Sequence, residues 1–308
     1  MMATLLLRRM ALAVALLFVA IVLARGGYML TVVGIAAIYA VLVSGLNLFM
    51  GLAGQVSFGQ NAFAAIGGYA TAILTANYGW DPLAAMLCAA VAAGAFAAVV
   101  GFPAMRLTGH TLAMATLSLG LITYEIAVQW QSLTQGYSGI SGIAPLGAFG
   151  FEITGERSST IVVLIFAGVA AWLSHRLRYS RFGRALLAQS RSPEAAAALG
   201  ITSSRYKLAA FVIAAVYASV AGSLFASYVG FISPEVFGLS MVVQSFTMLY
   251  VGGVGTVAGP FVGAVVIGAL PELVRGLARY QDLIYGVLLI VILIYRPSGL
   301  AASTSAAR

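Results

Sequence analysis

A chain of 308 residues that is 62% hydrophobic and 8% charged, with a mean hydropathy of +1.03, is not a water-soluble globular domain, in which about 25% of residues are charged. It reads as an all-α, polytopic transmembrane helical bundle. Sixteen Lys and Arg against eight Asp and Glu leave a net charge of +8, and in a membrane protein that excess reports the side each loop occupies rather than a nucleic-acid partner.

A helix rising about 1.5 Å per residue needs about 20 apolar residues to cross a hydrocarbon core about 30 Å thick. Cutting the chain at Pro, Gly pairs and charges leaves ten candidate spans: 9–24, 28–50, 60–77, 82–104, 109–130, 159–175, 208–229, 239–252, 260–275 and 282–295. The first follows Arg8 and Arg9 and runs into VLARGGY without a small-residue cleavage site, so it reads as a retained helix and not a secretory signal. Ten spans put both termini on one side. With the termini cytoplasmic, the inner segments hold 12 of the 16 basic residues: Arg8, Arg9, Arg106, Arg176, Arg178, Arg181, Arg184, Arg191, Arg205, Lys207, Arg296 and Arg308. The outer side keeps Arg25, Arg157, Arg275 and Arg279 with most of the acids, as the positive-inside rule requires. Eight spans plus two re-entrant hairpins give the same sidedness.

The hairpin candidates are two Gly-rich stretches, GLAGQVSFGQNAFAAIGGY from Gly51 to Tyr69 and YVGGVGTVAGPFVG from Tyr250 to Gly263. Irregular backbone at membrane depth is tolerated only where protein or a water-lined cavity satisfies its polar groups. Both stretches therefore face the bundle interior or a translocation path, or are tight inner turns whose glycines allow close helix packing. Gly51, Gly54 and Gly59 are echoed by Gly252, Gly255 and Gly259, with the same first interval and a second one residue shorter, a hint of an internal repeat. Beside the first stretch, Asn47, Gln55 and Asn61 are candidate solute-path residues, because each polar group in a span needs a partner.

Further along, Cys88 lies alone in PLAAMLCAAVAAG. It excludes an intrachain disulfide or a Cys-rich metal site and reads as a small core residue. His110 follows Gly109 at a helix start. Glu125, in GLITYEIAVQW, is the one carboxylate set well inside a span. Such a group is by default functional: a proton site, a polar contact for a solute, or an acceptor for a neighbouring helix. Ser141 in GISG reads as part of a flexible outer loop, since His175 lies at the far end of the next span and cannot serve it as a base.

Residues 176–207 form the longest inner segment, a cytoplasmic loop within a single transmembrane domain spanning 1–308. In it Ser192 stands at an N-cap position, Pro193 opens a helix and Glu194 complements its dipole. Ala195 to Ala198 favour helix, and Gly200 can end it in a left-handed conformation. The product is a short helix of small side chains outside the membrane, suited to docking in a partner's groove. No G-x-x-x-x-G-K-[ST] loop occurs, so any ATP is handled by another subunit.

PEAAAALG, with Glu194, Ala195, Ala196 and Gly200, resembles the E-A-A-x-x-x-G loop of ABC importer permeases. Its surroundings are similar to the branched-chain amino acid permease family, as are GLNLFMGLAGQVSFGQNAFAAIGGYATA, FISPEVFGLSMVVQ, YVGGVGTVAGPFVGAVVIGALPELV and LIYGVLLIVILIYRPSGL. Together these stretches cover most of residues 45–300 in order. The resemblance implies a non-enzymatic, multi-pass subunit of the bacterial inner membrane. Its implied partners are a second homologous permease, two ATPase subunits that bind ATP and Mg, and a periplasmic solute-binding protein; no cofactor is implied in this chain. Glu194, Ala195, Ala196 and Gly200 would then couple the chain to an ATPase, while Asn47, Gln55, Asn61 and Glu125 are the candidates for the solute path. The implied solute is a branched-chain or related hydrophobic amino acid. Relatives carrying urea or short amides, and a proton-coupled carrier using Glu125, are the alternatives. One outer segment departs from the family's TGGSDGL-like pattern: TQGYSGISGIAP has Gln135 and Tyr137 in place of small residues and Ser138 at the acidic position.

Overall fold

A helix that is apolar on every side is stable only where every side is covered. That describes α1 (Tyr28–Asn47), in which each residue from Ala40 to Asn47 is buried. The computed structural model describes residues 27–148, 151–153, 155–270, 281–295 and 299–301. The candidate span 9–24, the chain termini, Glu272, Arg275 and Arg279 lie outside those residues.

From α1 the backbone widens into a π-helical turn, Leu48–Leu52. Residues 53–59 are not helical, and α2 (Gln60–Ala76) follows. α3 (Pro82–Ala104) starts on Asp81, whose carboxylate accepts the Leu83 and Ala84 N–H groups at 2.9 and 3.3 Å, a side-chain cap with Pro at the first position. Then come α4 (Gly109–Gln129), α5 (Glu156–Tyr179), α6 (Arg181–Arg191), α7 (Pro193–Ala198), α8 (Ser203–Val229), α9 (Leu239–Gly252), α10 (Gly259–Gly268) and α11 (Gln281–Tyr295). Each candidate span that falls within the described residues coincides with one of these helices. Among the described residues, five stretches are long and apolar enough to cross a membrane alone: Tyr28–Leu52, α3, α4, α5 and α8.

α1 and α8 are the central pair, and α2 packs along α8 by bringing backbones into contact. Gly222 of α8 lies on the Ala64 carbonyl and Gly67 of α2 lies on the Ser219 backbone. Between lipid tails there is no hydrophobic drive for helices to associate, so small residues and interhelical hydrogen bonds must do it. Thr71 donates to the Ser223 hydroxyl at 2.8 Å, and Ser223 donates to the Gly67 carbonyl at 3.1 Å.

At the end of the bundle opposite the basic loop, β1 (Ile140–Ser141) pairs antiparallel with β4 (Phe231–Ile232), and β2 (Gly147–Ala148) pairs with β3 (Phe151–Glu152). Ser141 therefore sits in a paired strand opposite Phe231, not in a flexible loop; burial of the adjoining Ile140 and Ile232 fixes the register. Cys88 is also not a core residue. It is exposed on α3 among Leu87, Val91 and Phe96, because in a span the apolar outer face needs no protein cover.

The turns of both Gly-rich stretches lie at the basic end and pack on each other. A Cβ on Gly51 would stand 2.5 Å from the Gly255 nitrogen. Asn47 clamps the pair: its Nδ2 donates to the Thr256 carbonyl at 2.8 Å, and its Oδ1 accepts the Gly255 N–H at 2.7 Å.

Two substitutions test this architecture. Gly222→Val forces a branched side chain into the Ala64 backbone and should abolish recovery of monodisperse protein in detergent. Asn47→Leu, of similar size, strands the Gly255 N–H and the Thr256 carbonyl and should cost about 2 kcal/mol. That loss is read as a lower thermal midpoint in detergent; an unchanged midpoint would show that the clamp contributes nothing.

Candidate functional site

The glycine pattern has one counterpart in the backbone. Gly54 (φ +65°) and Gly255 (φ +76°) both adopt the left-handed conformation open to glycine. Each follows a helix that ends at Leu52 or Gly252, and each precedes a helix that starts at Gln60 or Gly259. The two loops differ in reach. The second is a tight turn, in which Thr256 accepts the Gly259 N–H at 3.0 Å. The first climbs along α4: the Phe58 N–H donates to the Thr116 hydroxyl at 3.0 Å, and Asn61 lies against Gly120, at mid-length of that helix. α2 consequently begins deep in the bundle.

Asn61 is 3% exposed, and its Nδ2 donates 2.9 Å to the carbonyl of Phe237, in the turn Pro234–Phe237 just before α9. The starts of α2 and α9 thus meet, and neither has a side-chain cap. Among the described residues the Asn61 Oδ1 and both amide atoms of Gln60 are buried without a hydrogen-bond partner. Buried polar atoms of this kind are rare and call for a ligand, a water or a conformational role.

The other sequence-derived candidates do not join Asn61. Asn47 spends its amide on the clamp between the two turns. Gln55 is half-buried at the basic end, and its Nε2 donates to the neighbouring Gly54 carbonyl at 3.4 Å. Glu125 is exposed on the flank of α4, in a shallow groove lined by Leu121, Ile122, Ile126, Gln129 and Trp130. Its carboxylate accepts from Gln129 at 3.5 Å, one turn along the same helix.

The basic end carries the second half of the site. Arg106 stands over Phe102 and Arg176 over Trp172, each 5.5 Å from the ring centroid. Such arginines keep their charge in water and their stems on apolar surface. Beyond them α6 starts on Ser180, which accepts the Gly183 N–H at 3.1 Å. It buries Leu186 and Gln189 and places Ser190 against the Gly54 turn, where a Gly54 Cβ would stand 3.0 Å from the Ser190 Cβ.

α7 runs as the sequence requires from Pro193 to Ala198. Ser192 occupies the N-cap position, but its hydroxyl makes no capping bond. The other end is closed firmly. Gly200 (φ +80°) donates to the Ala197 carbonyl at 2.9 Å and Ile201 to the Ala196 carbonyl at 3.0 Å, the paired bonds of a Schellman motif. Ala196 alone is buried in α7, whereas Glu194, Ala195, Ala197 and Ala198 are exposed. Leu199 at the C-cap is 82% exposed. Sequence reasoning about small residues passed over it, although a single large apolar residue between Ala198 and Gly200 is a visible signal.

Residues 28–293 match the family described as branched-chain amino acid transport system / permease component. Among curated relatives, the high-affinity branched-chain amino acid transport system permease protein LivM of Salmonella typhimurium is 31% identical over 290 residues, covering 87% of this chain and 68% of that one. LivH of Escherichia coli, also a high-affinity branched-chain amino acid transport system permease protein, is 28% identical over 288 residues, covering 87% and 92%. Among solved structures, PsaBC from Streptococcus pneumoniae in complex with Fab is similar at a TM-score of 0.45 and 15% identity, covering 89% of this chain and 94% of that one.

Proposed function

The chain belongs to the family of branched-chain amino acid transport system permease components, and we propose on that footing that it is the membrane subunit of an importer for branched-chain amino acids, driven by ATP hydrolysis on partner subunits. It is a multi-pass membrane protein. In this reading it sits in the bacterial inner membrane with ten inserted helical segments, both termini and the loop 176–207 in the cytoplasm. A second permease completes the channel, two ATPases bind ATP and Mg beneath it, and a periplasmic protein delivers the solute. The observation that carries the reading is α7: a short, rigid helix projecting from the most basic loop, small-sided except for Leu199.

On this reading Glu194, Ala195 and Gly200 shape the face that enters a groove of the ATPase, Leu199 anchors it, and Ala196 holds α7 to the permease. α7 packs on α6, α6 touches the Gly54 turn through Ser190, and that turn leads through residues 55–59 to the start of α2. Movement of the ATPases is thereby passed, through packed elements and the non-helical residues 55–59, to the buried level of Asn61. Gln55, Asn61 and Glu125 mark the inner, middle and outer levels along α4, and Asn61 offers the solute a free acceptor.

Leu199→Ala should weaken association with the ATPase about tenfold, the scale of an interface anchor. Replacing Glu194 and Gly200 with bulky residues should abolish uptake of labelled leucine in proteoliposomes holding the whole complex, with ATP hydrolysis continuing. Unchanged uptake in that double variant would refute the docking role. Competition of uptake by leucine but not by urea or acetamide is the expected result for the solute.

A further inference from the structure

Tyr137 replaces a small residue of the family's outer pattern, and its phenol reaches back to the bundle. Gln135 takes the left-handed conformation (φ +60°), and the short turn Gly136–Ser138 that follows meets the turn Pro234–Phe237 beside the outer end of α4. There the phenols of Tyr137 and Tyr124 are in hydrogen-bonding contact, and the carboxylates of Glu235 and Glu125 lie within electrostatic range of Tyr124. A Cβ on Gly238, the residue after the second turn, would stand 3.8 Å from the Tyr124 ring. Two turns and α4 thus gather phenols and carboxylates at one mouth.

A second feature points to the same place from within the bundle. Tyr69 of α2 is 6% exposed, and among the described residues its hydroxyl is buried without a hydrogen-bond partner, a state that calls for a ligand, a water or a conformational role. Tyr69 lies within electrostatic range of Tyr124, and its ring packs on Phe237 with 6.0 Å between centroids. Phe237 also accepts from Asn61 through its carbonyl, at 2.9 Å. Tyr69 and Asn61 are eight residues apart on α2, about 12 Å along the helix. The turn Pro234–Phe237 therefore joins two depths at which a buried polar atom lacks a partner.

We propose that Tyr69, Tyr124, Tyr137 and Glu235 form an outer station that takes the ammonium group of a free amino acid before the solute descends to Asn61. An ammonium carries three donors and no acceptor. A carboxylate meets it with charge-assisted hydrogen bonds, and tyrosine rings attract it through their faces. Glu125 adds negative potential at the same mouth. The same charges repel the solute's own carboxylate, so the zwitterion enters ammonium first. Urea and acetamide are uncharged and gain no ion pair with Glu235. The station rests on the amino-acid importer reading above and assigns the part of the solute that this chain reads.

The test uses the complex of this chain with its permease and ATPase partners, in phosphatidylcholine nanodiscs and without the delivering protein. Saturation-transfer NMR compares leucine, 3-methylbutylamine (leucine without its carboxylate) and 4-methylpentanoate (leucine without its amine). Leucine and the amine should receive saturation, and the acid at least fivefold less. Glu235→Gln should lower the amine signal at least fivefold and Tyr137→Gly about threefold, whereas Glu235→Asp, which keeps the charge, should retain at least half of it. Equal transfer to amine and acid, an unchanged signal in Glu235→Gln, or equal loss in both Glu235 variants would overturn the proposal. No transfer to any probe, as a mouth covered by residues 271–280 would give, also overturns it. So does a Glu235→Gln variant that keeps amine transfer and binds the delivering protein more weakly, since Glu235 then belongs to a protein contact. Leucine uptake by the unmodified complex with its delivering protein is scored separately: uptake without amine selectivity sinks the station alone, and amine selectivity without leucine uptake sinks the amino-acid reading.

Discussion

Every peptide group inside a bilayer must find its hydrogen-bond partner within the protein, and in this chain that constraint falls hardest where the helices stop. Residues 53–59 and 253–258 interrupt long apolar runs without forming helix. The solution is to set the two interruptions against each other: the Gly51 and Gly255 backbones touch, and the one amide of Asn47 supplies both a donor and an acceptor to the second turn. A side chain at Gly51 would press on the Gly255 backbone and on the Asn47 Oδ1, and the clamp could not close. The meeting of α1, α2, α9 and α10 follows from that contact.

Much of this was legible in the sequence. Helix positions followed from apolar run length and from breaks at Gly and Pro, because in a membrane those two signals have few competitors. α7 was legible down to its ends, since Pro193 and Gly200 have strong positional meaning. What sequence could not show was direction. Cys88 and Glu125 both lie in apolar helices, and nothing in periodicity distinguishes a face covered by protein from one open to lipid when both are apolar; both residues turn out to be exposed. Asn47 and Asn61 looked alike as polar residues beside a Gly-rich run. They separate only through partners more than 170 positions away, a distance over which local pattern carries no information. The pairing of Ser141 with Phe231 escaped for the same reason.

The repeat of the two turns matters because the copies are unequal. The second closes within a few residues on Thr256, whereas the first spends seven residues climbing along α4 before α2 begins. The longer copy is also the one that α6 touches. An element that carries motion needs two arrangements of comparable energy, and residues 55–59, beside unpaired Gln60 and Asn61 atoms, are better placed to have them than a turn held at Gly255 and Thr256 by Asn47.

The same logic explains why α7 is closed so firmly at its C-terminal end. A docking helix transmits force only if it does not fray, and six residues are too few to hold a helix by propensity. The Schellman bonds at Gly200 and Ile201, with Ala196 buried beneath them, replace the cooperativity that length would otherwise provide. They also hold Leu199 outward, 82% exposed. Rigidity in α7 and looseness in residues 53–59 are complementary. If α7 docks as proposed, it delivers a displacement and residues 53–59 change arrangement in response, joined by α6, which buries Leu186 and Gln189.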